Sequence, residues 1–250
     1  MIIAALVGCI LVSIIIPLII WFGLIIKNKE ERKGIIILFI AGALFYAAMQ
    51  FGIKQQGLAY LFNNANLQTF VNDNYIAYLF SVALAGALLA VIPEVIFIGL
   101  ICKKKVTFKQ AISMGLGYVA AESNFLIGYQ GITTLIKCIR EKSFELNVSA
   151  NELFLSDFER LILSVTGTGL IVFLIYYMEQ DMTFKGILIK VLCQAVVAFL
   201  PGFLIAFTTD DLLEIFDRSI ALIMIYLLLS ATAICAWAFL DSVKWKMYEK

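Results

Sequence analysis

The chain has 250 residues, 62% of them hydrophobic and 15% charged, with a formal net charge of +1 and a mean hydropathy of +0.97. A soluble domain leaves more charge on its surface, so this composition excludes one and points to a polytopic membrane protein. A charge balance this close to neutral gives no electrostatic footprint for nucleic acid.

A helix that crosses a bilayer needs about 20 mostly apolar residues. Seven stretches qualify, at roughly 2–26, 34–53, 75–101, 110–136, 158–178, 186–207 and 219–240. The connections between them are short, so residues 1–250 are expected to form one all-α membrane domain, a transmembrane helix bundle of about seven spans. The first stretch has no basic leader and is too long for the core of a signal peptide, and Ile25–Ile26 is not a small-residue cleavage site. Pro17 is expected to bend that helix rather than end it, because neighbouring groups can satisfy the freed carbonyl.

Ala83, Gly86, Ala87 and Ala90 in the third stretch predict a close helix contact. Glu94 follows Pro93 there, seven residues before Ile101 and hence ~10 Å from the end at 1.5 Å per residue. The fourth stretch reads Gly115-Leu116-Gly117-Tyr118-Val119-Ala120-Ala121-Glu122-Ser123-Asn124. Glu122 stands twelve residues after Gln110, ~18 Å along the helix. Tyr118 and Glu122 are four apart and share a face, and Gly115 beside them permits another helix to approach. The third and fourth spans are joined by a short loop, so both carboxylates are expected to reach one cytoplasm-facing cavity. The alternative is that each is protonated and bonded to a carbonyl, to Ser123 or to Asn124. GLGYVA also fits the dinucleotide fingerprint GxGxxA, but no strand precedes it and both flanks are apolar helix, so the match is rejected.

Residues 138–157 mix apolar and charged side chains and are expected to lie partly in the interface, with Asn147-Val148-Ser149 a formal glycosylation sequon. Glu159-Arg160 opens the fifth stretch, where an acid and a base can bond neighbouring helix ends. Ser164, Thr166 and Thr168 with Gly167 and Gly169 make a strip of small and polar residues of the kind found at close helix contacts. The sixth stretch carries Lys190, placed to snorkel to the interface. The seventh helix is expected to begin near Asp211, with acidic residues at its positive end.

The segments 27–33, 102–109, 179–185 and 241–250 hold twelve basic residues, against six on the opposite side. The positive-inside rule then sets the N-terminus outside and the C-terminus inside, and Lys103 to Lys105 are expected to contact anionic lipid. The five cysteines, Cys9, Cys102, Cys138, Cys193 and Cys235, are scattered without a CxxC pair, which indicates packing rather than a disulfide framework or a zinc knuckle. The chain contains no histidine.

GLGYVAAES resembles the "GLGHGxxE" segment of the YhfC-like family of intramembrane metalloproteases, relatives of the CAAX-processing and bacteriocin-processing membrane peptidases. Pro93-Glu94-Val95-Ile96-Phe97 resembles that family's "EExxR" helix. Phe158-Glu159-Arg160 with Ser164-Val165-Thr166-Gly167-Thr168-Gly169 resembles its "ER" segment and the histidine-bearing helix after it. Order and spacing agree over roughly residues 34–205. The resemblance implies an ancestral site at Glu94, Tyr118 and Glu122, with Asn124, Glu159, Arg160, Thr166 and Thr168 as further binding candidates.

The departures bear on the chemistry. Pro93 replaces a glutamate, Phe97 the arginine and Tyr118 the histidine, and the fifth span offers Thr166 and Thr168 but no imidazole. Hydrolysis at zinc takes three protein ligands and an open position for water. Two carboxylates without imidazole make a poor zinc site, so neither a metal nor another cofactor is expected. Nor is a Ser–Lys or Cys–His nucleophile visible. The reading is therefore a non-catalytic descendant that holds a hydrophobic peptide, a lipid or a partner helix near Glu94 and Glu122. The alternatives are an active peptidase with an atypical site, and a membrane subunit working beside a separate ATPase. Membrane lipid and another membrane protein are the expected partners, and a bacterial cytoplasmic membrane the expected location.

Overall fold

A computed structural model describes residues 2–54, 74–101, 106–141 and 150–209, with a few positions between 227 and 241. Lys103 to Lys105, the sequon, the helix start near Asp211 and most of the seventh stretch lie outside the described residues. Among the described residues the fold is all-helical, with no strand. Four helices are long and apolar enough to cross a membrane: Ile2–Lys27, Arg32–Gly52, Ile76–Leu100 and Leu153–Glu179. The stretches expected as the fourth and sixth spans are helical as well.

The chain divides into two compact units. The first comprises Met1–Ala47, Val106–Val172 and Cys235–Lys250, and the second Ala48–Lys105 and Phe173–Ile234.

In the first unit, α1 (Ile2–Ile10) passes through a π turn (Leu11–Ile15) into α2 (Ile16–Lys27). Pro17 sits in the first turn of α2, so the helix continues past it as expected. The π turn supplies the extra residue by which such a helix adjusts its backbone bonding. Helix α3 (Arg32–Met49) contributes to this unit through Ala47. Helix α5 (Phe108–Ser123) runs through a second π turn (Asn124–Gly128) into α6 (Tyr129–Glu141). That run is about 50 Å long at 1.5 Å per residue, more than the ~30 Å hydrocarbon core requires.

Thr107 caps α5. Its hydroxyl accepts from the Gln110 backbone N–H, and the Gln110 side chain accepts from the Thr107 N–H. This reciprocal box satisfies two orphan donors. The Thr107 hydroxyl also donates to the Glu31 carboxylate, which Lys109 approaches at 3.4 Å. The start of α5 is thereby tied to the turn before α3.

Close backbone approach holds this unit together. A side chain on Gly117 would run into the Phe39 carbonyl, and one on Gly42 into the Met114 carbonyl. Gly115 lies against Thr168, where a Cβ would stand 3.0 Å from the Thr168 Cα, and Gly131 lies against Cys9. The expected contact role of Gly115 and of the strip around Gly167 is what the structure has. In lipid, where apolar surface alone drives little association, such contacts carry the packing. The two π turns meet, with Ser13 over Gly128. Helix α7 (Ala150–Glu179) belongs to this unit through Val172. It starts eight residues before the expected fifth span, so Leu153, Phe154 and Leu155 are helical.

In the second unit, α4 (Tyr75–Ile101) packs along α8 (Thr183–Thr209). Glu94 meets Lys190 and Phe80 meets Phe199, so the pair runs antiparallel. Ala87, Val91, Val191 and Ala195 form its buried core. Ala83 and Ala87 are buried as the small-residue pattern requires, whereas Gly86 is exposed with open space where a Cβ would go. Helix α7 ends in a Schellman turn: Met182 N–H donates to the Tyr177 carbonyl, and Asp181 N–H to that of Met178. Asp181 takes the left-handed conformation, φ 57°, that glycine usually fills, and its short side chain tolerates it.

Candidate functional site

Among the described residues, polar groups gather inside each unit. In the second, the Lys190 ammonium donates to the Glu94 carboxylate. Both residues are 2% exposed. The expectation that Lys190 snorkels to the interface fails. Its side chain is buried and its head is bound by a carboxylate on the facing helix. Glu94, expected as a cavity-facing ligand or base, is committed to a cation from its own chain.

In the first unit, Tyr118 of α5 meets two rings of α3. Tyr46 stands edge-on at 5.3 Å and Phe45 lies at 6.0 Å. The Tyr46 phenol lies within electrostatic reach of both the Glu122 carboxylate and the Arg160 guanidinium. Tyr46 thus links three of the sequence candidates, Tyr118, Glu122 and Arg160. Phe125, on the π turn, closes the aromatic side of this cluster at 6.5 Å from Tyr46.

Glu122 occupies the last turn of α5 and is half-buried, while Asn124 opens the π turn and is exposed. Asn124 thus presents an exposed amide in the middle of the helical run, one turn or less from the Glu122 carboxylate. π turns inside helices occur frequently at functional sites.

Glu159 and Arg160 pair with one another at 3.7 Å. The Arg160 Nε–H is buried without a hydrogen-bond partner among the described residues. Thr166 is structural: its hydroxyl donates to the Ile162 carbonyl at 3.0 Å within its own helix. Thr168 is buried against Gly115, and its hydroxyl has no partner among the described residues. Ser123 and Ser164 share a hydrogen bond of 3.2 Å between α5 and α7. Asp157, 6% exposed, places a carboxylate oxygen where Gly8 would carry a side chain.

Sequence reasoning missed three of these residues. Lys190 had a signal, since it stands seven residues after the start of its helix as Glu94 stands seven before the end of its own. Tyr46 had none beyond being one of thirty Phe and Tyr residues. Asp157 falls at the end of the segment 138–157, whose mixed composition reads as interfacial.

Among the described residues no group of three or more His, Cys, Asp and Glu is placed to hold a metal ion. No family model, curated protein or solved structure matches the chain.

Proposed function

We propose that this chain is a non-catalytic multi-pass membrane protein that holds a hydrophobic peptide, a lipid or a partner helix against the Tyr46, Tyr118, Glu122 and Arg160 cluster of its first unit. In this reading it descends from the intramembrane peptidases that its motifs resemble, and it crosses a bacterial cytoplasmic membrane about seven times with the N-terminus outside.

The observation that carries the reading is the commitment of Glu94 to Lys190. A carboxylate that serves as general base or metal ligand must be free to accept a proton or a cation. One bound by an ammonium in a water-poor interior is not. Glu122 stands beside phenols rather than imidazoles, and a phenol stays protonated near neutral pH. Such a set of groups recognises through hydrogen bonds and ring contacts.

The test is metal content and cleavage together. Purified protein is expected to lack stoichiometric zinc, and Glu122→Gln to leave peptide processing in cells unchanged. Stoichiometric metal, with cleavage abolished by Glu122→Gln, would restore the peptidase. The topology is tested separately by reporter fusions after Lys33, Asn64, Lys104 and Lys250, which should read in, out, in and in.

A further inference from the structure

We infer that the buried ion pair between Glu94 and Lys190 selects α8 as the packing partner of α4 and fixes the register of the two helices. It rests on the same ion pair that argues against catalysis above, and it holds whether or not the first unit binds a ligand.

Between helices in lipid, apolar surface carries almost no preference for one neighbour over another, because the acyl chains are as apolar as the side chains. The hydrophobic core between these two helices offers such surface: Ala87 and Val91 on α4, and Val191 and Ala195 on α8. Small residues permit close approach but do not encode a partner. Charge does. Within the seven apolar stretches Lys190 is the single lysine, and Arg160, at the head of the fifth stretch, the single arginine. Arg160 already pairs with its neighbour Glu159.

The offsets agree with this assignment. Glu94 lies seven residues before the end of α4 and Lys190 seven after the start of α8, each ~10 Å from its helix end. In an antiparallel pair, equal offsets bring the two groups to one level. A slip of one helical turn, ~5.4 Å, would separate them. A charge left alone at that depth is costly, so the wrong register and the wrong neighbour are both disfavoured. A single polar residue in an apolar seam specifies register in coiled coils by the same logic.

The experiment uses the full-length chain in its membrane, with paired cysteines introduced at Ala87 and Ala195 to report the packing of α4 on α8 by cross-linking, and the folded yield in mild detergent as a second readout. Glu94→Gln and Lys190→Met should each lower both readouts roughly ten-fold or more, because one buried charge loses its partner. The reversed pair, Glu94→Lys with Lys190→Glu, should restore both. The neutral pair, Glu94→Gln with Lys190→Met, should recover yield while cross-linking stays below wild type. Wild-type behaviour of either single variant, a reversed pair as defective as the singles, or a neutral pair that cross-links like wild type would each overturn the inference.

Discussion

Ser113 in the first unit donates its hydroxyl proton to the Ile35 carbonyl at 2.7 Å, and Ser123, Ser164 and Thr166 make similar small bonds nearby. Lys190 in the second unit donates an ammonium proton to the Glu94 carboxylate, and both residues are buried. One unit spreads its buried polarity over many weak contacts and close glycine approaches. Among the described residues, the other holds its fully buried charges in one strong pair. The difference teaches where each is vulnerable. Loss of a neutral side-chain bond between membrane helices costs about 0.6 kcal/mol on average, whereas breaking a buried ion pair from one side costs about 3–5 kcal/mol.

The largest effect is therefore expected in the second unit. Lys190→Met should lower the midpoint of unfolding in mixed micelles by the equivalent of about 3–5 kcal/mol. If it unfolds like wild type, the second unit is not organised around its ion pair.

The first unit is most sensitive where backbones touch. Gly117→Ala drives a methyl group into the Phe39 carbonyl and should cost about 1–3 kcal/mol by overpacking. The matched change in the second unit, Gly86→Ala, meets open space and should be neutral or stabilising by up to about 1 kcal/mol through helix propensity. Equal effects at the two glycines would erase this part of the contrast.

How far the sequence carried these conclusions depends on the kind of signal. The apolar runs placed helices well, because about 20 residues without charge leave few other structures in a bilayer. Boundaries were poorer. Apolar character starts the fourth run at Gln110, whereas Thr107 and Gln110 have the spacing of a capping box and the helix starts at Phe108. The π turns at Leu11–Ile15 and Asn124–Gly128 had no visible signature, since they answer to packing between helices rather than to local propensity. Lys190 is the instructive miss. A lysine some 10 Å from a helix end can snorkel or pair, and only the facing helix decides which. At the site, Tyr118, Glu122 and Arg160 were legible as candidates, but Tyr46, which joins them, is indistinguishable in sequence from a packing aromatic.

A smaller effect sharpens the account of the first unit. Thr107→Ala removes the cap of α5 and the bond to Glu31, for an expected cost of about 1 kcal/mol. Ser113→Ala should cost less, about 0.6 kcal/mol, and both can be read from the same unfolding midpoints. A Ser113→Ala loss as large as that of Lys190→Met would mean that the first unit also hangs on a single bond.

The two glutamates test the account most directly, because one is assigned to the fold and the other to a ligand. Glu94→Gln and Glu122→Gln are compared in the full-length protein, with folded yield measured beside the lipid or peptide that co-purifies, read by native mass spectrometry. The account predicts that Glu94→Gln loses folded protein, while Glu122→Gln folds normally and loses the bound molecule. Glu122→Gln that retains the bound molecule in full, or Glu94→Gln that folds normally but loses it, would contradict the assignment.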